Sequence, residues 1–107
     1  MTADEVRTRV EREIAGDWDR TNAHGCDLRR CLVGPVRVDY EDPLNTPAGH
    51  PPELTPVWLV LEEDPADPTG YKIVFDEPAD MFALAVGSPR PAVISHYHTF
   101  LFAYDSM

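Results

Sequence analysis

The chain has 107 residues, the size of one ordinary domain, which excludes two independent hydrophobic cores. Apolar side chains make up 43% of it, enough to build a core and to set it apart from disordered chains. The formal net charge of -10 disfavours nucleic acid as a partner, because phosphate capture needs a broad positive surface.

The first element is the most clearly marked. Thr2 and Glu5 have the spacing of a capping box, in which each side chain satisfies a free amide at a helix start. Val6, Val10 and Ile14 then recur every four residues as one apolar stripe, Glu5–Arg9 and Arg7–Glu11 have helical pair spacing, and Gly16 supplies a stop. A helix is predicted over roughly residues 3–15. The stretch from Asp17 to Cys31 is polar and without a sustained period, so an irregular connection with a short helical turn is expected there.

Leu32–Tyr40 reads as a strand, although Pro35 cannot donate to a ladder and points to an edge or a late start. Five prolines between Asp42 and Pro56 argue for a loop rather than a regular element. VWLVLE at 57–62 has the continuous apolar content of a buried strand, and YKIVFD at 71–76 alternates Tyr71, Ile73 and Phe75 onto one face. The connection between them is short and holds two prolines, which favours an antiparallel link over a crossover helix. MFALAV at 81–86 and PAVISHY at 91–97 are the next strands. Thr99 has the chemistry of a helix cap, after which Phe100, Ala103, Tyr104 and Met107 would share one face of a short terminal helix; the same aromatic residues also suit another strand, and the spacing favours the helix.

Together these elements predict a single acidic α+β domain over residues 1–107: two layers, with the first helix packed on a predominantly antiparallel sheet. A small β-barrel is the alternative. No apolar run approaches the roughly 18 residues of a membrane span. The chain starts without the basic end and apolar stretch of a signal peptide, and it carries only Cys26 and Cys31, so a reducing cytoplasm is the expected setting. So small a core leaves a homo-oligomeric partner as a further source of stability.

Dividing the charge localises it. Residues 1–38 carry seven acidic and seven basic side chains, and residues 81–107 carry Asp105 and Arg90. The whole net charge therefore belongs to residues 39–80, where eleven acids face Lys72 alone. Complementary fields of this kind steer encounter with a basic surface. The leading expectation is accordingly a small non-catalytic interaction domain, an inhibitor or adaptor that meets a basic protein partner through Asp39, Glu41, Asp42, Glu62, Glu63, Asp64, Asp67, Asp76, Glu77 and Asp80.

The competing expectation is a small metal-binding protein or enzyme. His24, Cys26 and Cys31 are soft ligands in an H-x-C-x4-C arrangement, with His50 as a fourth donor brought in by folding. His96 and His98 have the two-residue period that places side chains on one side of a strand. Neither spacing is that of a usual zinc knuckle. The chain has no phosphate loop, dinucleotide fingerprint, nucleophile elbow or HExxH motif, so no cofactor is expected.

Overall fold

A computed structural model of the protein describes residues 1–22, 25–41, 47–51, 54–64, 66–67, 70–87 and 91–107. Three helices and five strands follow in the order α1 (Ala3–Ile14), α2 (Leu28–Cys31), β1 (Leu32–Glu41), β2 (Leu54–Glu62), β3 (Tyr71–Asp76), β4 (Met81–Val86), β5 (Ala92–Tyr97) and α3 (Phe100–Asp105).

α1 begins as its sequence predicts. The Thr2 hydroxyl accepts from the Glu5 N–H at 3.2 Å, and the Glu5 carboxylate accepts from the Thr2 N–H at 3.0 Å. Because the cap holds Glu5, the expected Glu5–Arg9 pair gives way to Arg9–Glu13 at 3.1 Å, and Arg9 also reaches Asp80. Arg7 hydrogen-bonds the Gly34 carbonyl, tying the helix to β1. The stop falls one residue before Gly16: Ala15 takes the positive φ, 50°, that ends the helix.

Each strand pairs antiparallel with the next. β1 runs through Pro35 because the register shifts between Leu32 and Val36, which places the proline in a bulge rather than a regular ladder. Gly34 at this bulge has φ 38°, and a Cβ there would lie 2.6 Å from the Val36 nitrogen, so only glycine fits. β2 starts earlier than its apolar run, at Leu54, with Pro56 opposite Asp39. The β2–β3 ladder begins only at Trp58, so Pro56 lies where the strand has one neighbour and its missing N–H breaks nothing there.

Side-chain alternation gives the sheet two apolar faces. One carries Trp58, Val60, Leu61, Ile73, Phe75, Phe82 and Leu84 and is covered by Val6, Val10 and Ile14 of α1, Leu28 of α2, and Phe100, Ala103 and Tyr104 of α3. This is the helix-on-sheet core, with Phe75 and Phe82 ring centroids 4.9 Å apart. The other face gathers Tyr40, Val57, Leu59, Val74, Ala83 and Val93 into a second, smaller cluster. Lys72, also buried, stands opposite Glu62 on this second face.

Tyr40 and Val93 come from opposite edges, so the sheet is curled toward the second cluster. With five strands running up and down, β1 and β5 are parallel, and among the described residues they meet in one pair, Glu41 with Ala92, where the Glu41 N–H donates to the Pro91 carbonyl at 2.9 Å. The last residue of β1 there meets the first of β5. A single end-to-start rung is not a ladder, so the architecture is the two-layer α+β arrangement, and the barrel alternative goes no further than this contact.

Candidate functional site

The end of the sheet where β2 turns into β3 brings together parts of two groups singled out in the sequence. Asp27 caps α2, its side chain accepting from the Arg29 N–H at 2.9 Å. The resulting single turn carries Cys31 back beneath Cys26, and both are buried free thiols, 3% and 4% exposed. The Cys31 thiol donates to the backbone carbonyl of Glu63 at 3.7 Å, joining the turn to the end of β2. A cavity of about 530 Å³ opens here, lined by Gly25, Cys26, Arg30, Cys31, Glu62, Glu63 and Asp64.

The described residues of the acid-rich connection are joined by turn hydrogen bonds. Glu63 N–H donates to the Tyr71 carbonyl at 2.9 Å, Asp67 N–H to the Asp64 carbonyl at 3.0 Å, and Gly70 N–H to the Asp67 carbonyl at 3.1 Å. The Asp64 carboxylate accepts from the Ala66 N–H at 2.9 Å. Glu62 and Glu63 are half-buried at the rim, whereas Asp64 and Asp67 are exposed. Burial first, then contact with the Cys31 thiol and the charge of Glu63, pushes the Cys26 thiol well above its ordinary range. The site thus presents carboxylates around a floor of two buried cysteines, with Arg30 as the guanidinium on its wall.

The other acids lie elsewhere. Asp39 is exposed and Glu41 half-buried on β1 at the opposite end of the sheet, near the β3–β4 turn, and Asp42 lies outside the described residues. Asp76 is buried, accepting from Tyr40 Oη at 3.1 Å and from the Ala79 N–H at 3.3 Å. Glu77 accepts from the N-terminal amine at 2.9 Å and from Trp58 Nε1 at 3.3 Å, and these bonds hold its carboxyl below the usual range. Asp80 pairs with Arg9. The acidic segment is therefore split between two ends of the sheet, and Asp76, Glu77 and Asp80 are engaged within the fold.

His24 lies outside the described residues; His50 is exposed in a bend after the Pro47 turn. β5 ends at Tyr97, so His96 belongs to the strand while His98 sits in the bend leading to α3, and the strand period does not extend to both. Among the described residues, no group of three or more His, Cys, Asp or Glu side chains is arranged to hold a metal ion.

The arginines separate too. Arg29 reaches Asp19 and the Trp18 carbonyl, Arg37 lies over the Trp58 ring at 4.3 Å, and Arg30 faces the cavity. Arg30 was not among the candidate residues read from the sequence; it joins the cavity as part of the single turn of α2. No described helix is long and apolar enough to cross a membrane. Comparison of the chain with protein-family models, curated proteins and solved structures found no match.

Proposed function

We propose that this chain is a non-catalytic protein-interaction domain, of the inhibitor or adaptor kind, that takes a basic protein partner at the acid-rimmed cleft between α2 and the β2–β3 connection. The observation that carries the reading is the grouping of Glu62, Glu63 and Asp64 around one cavity, with Asp67 in the adjoining turn, while Asp76, Glu77 and Asp80 are engaged by partners within the fold. The net charge of -10 steers a cationic surface toward the domain, and the cleft supplies a place where a lysine or arginine side chain lies against several carboxylates. Arg30 on the same wall rejects a partner whose cation arrives out of register. Two buried reduced cysteines suit a cytoplasmic setting.

The test is a partner screen with the purified chain, followed by affinity measurement over a range of salt concentrations. A specific partner is expected to bind less tightly as salt rises, and to lose binding to Asp64→Lys/Asp67→Lys while keeping it with Asp39→Lys. Equal loss in both variants would show bulk attraction rather than a site, and a partner indifferent to both would remove the proposal.

A further inference from the structure

We infer that Cys26 and Cys31 form a redox-active dithiol, a modification site at which a hydroperoxide closes the pair into an intramolecular disulfide. The inference does not depend on the cleft's binding a protein. Two cysteines that merely fill a core as small apolar side chains have no need to face one another or a cavity. Here they are five positions apart, bracket the single turn of α2, interact side chain to side chain, and line the same cavity wall. A small oxidant entering that cavity meets both.

The chemistry balances with the hydroperoxide as oxidant. One cysteine gives up its proton as its sulfur attacks a peroxide oxygen; the O–O bond breaks, and the departing oxygen takes that proton and leaves as water, or as an alcohol from an organic peroxide. The sulfur is left as a sulfenic acid. The neighbouring sulfur then attacks it; the S–O bond breaks, the S–S bond forms, and the oxygen leaves as a second water with the proton of the second thiol. Two thiols are oxidised and one peroxide is reduced. Because the second sulfur is already beside the first, the sulfenic acid meets it before a second peroxide arrives, and over-oxidation is avoided. Closure also withdraws the S–H that Cys31 donates to the Glu63 carbonyl, so the oxidation state reaches the cleft rim through that bond.

The experiment treats the purified full-length protein with excess hydrogen peroxide, quenches it in acid and counts alkylatable thiols after unfolding. The two cysteines fall on separate tryptic peptides, residues 21–29 and 31–37, so a disulfide appears as a cross-linked peptide pair. The expected result is loss of both thiols together, a monomeric product, the cross-linked pair lighter by two hydrogens than the sum of its parts, and full reversal by dithiothreitol. Oxygen adducts on unlinked peptides, or disulfide-linked dimers, would overturn the inference. So would retention of both thiols under conditions that consume them in urea. Cys26→Ser and Cys31→Ser supply a second reading if they fold: each is expected to leave a sulfenic acid that dimedone traps, a product absent from the oxidised parent.

Discussion

Tyr104, in the last helix, hydrogen-bonds through its phenol to the backbone carbonyl of Cys26, 78 residues earlier. The same hydroxyl lies 2.9 Å from the Arg20 carbonyl, and Asn22 completes the tie by donating to the Tyr104 carbonyl at 2.9 Å and accepting from the Cys26 N–H at 3.2 Å. The irregular segment before α2, which no period in the sequence organises, is thus held in place by the end of the chain.

Removing that hydroxyl is expected to be expensive. Tyr104→Phe keeps the fully buried ring but removes the single O–H that the Arg20 and Cys26 carbonyls share, a loss of about 1–3 kcal/mol measurable by urea unfolding. Burial, aided by the nearby thiols and acids, raises the phenol from 10.0 to about 12. A raised folded value means stability that is complete below the unfolded value and lost as pH climbs through the folded one. The parent should therefore lose stability between about pH 10 and 12, and Tyr104→Phe should show a flatter profile there.

At the acid end the sign reverses. Glu77 is held below its ordinary value of 4.5 by the N-terminal amine first and the Trp58 indole second. Its contribution is present above that ordinary value and disappears as pH falls through the lowered one. Glu77→Gln is expected to be the less stable protein at neutral pH and to lose less on acidification, read as midpoint temperatures across the acid range.

Ala15 occupies a backbone conformation, φ 50° and ψ -110°, that suits glycine better than any residue with a Cβ. Ala15→Gly is expected to raise unfolding stability by about 1 kcal/mol, because the relief of strain there exceeds the added freedom of the unfolded chain. A decrease would mean that the Cβ makes a compensating contact.

Charge reversals should separate the two kinds of acid. Asp64→Lys/Asp67→Lys, at exposed turn positions, is expected to leave the fold intact, with a stability loss of about 1 kcal/mol from the Asp64 bond to the Ala66 N–H. Asp76→Lys places a cation where Tyr40 and the Ala79 N–H both require an acceptor, and is expected to prevent folding, which far-ultraviolet circular dichroism would show.

Much of the fold was legible because periodicity and capping are local. Val6, Val10 and Ile14 announced the face of α1, Thr2 and Thr99 marked helix starts, and the β3 alternation placed Ile73 and Phe75 inward. What was hidden is non-local. That Trp58 would sit between Arg37 and Glu77, with Glu77 meeting the amino terminus, depends on strand register, which no window of sequence contains. The same limit applied to the acids: adjacency along the chain suggested one surface, whereas a sheet sends successive turns to opposite ends.

The rung between Glu41 and Ala92 makes the sheet a lock-washer rather than a ring: one full turn that comes back a step away from where it began. A ring opens only by breaking a whole ladder, but this arrangement is pinned at one amide. Among the described residues the Glu41 N–H is where the two edges of the sheet meet around the small cluster, while the helices cover the other face. Both clusters are built on the same three strands, β2 to β4, so the seam at Glu41 closes the thinner face of one core.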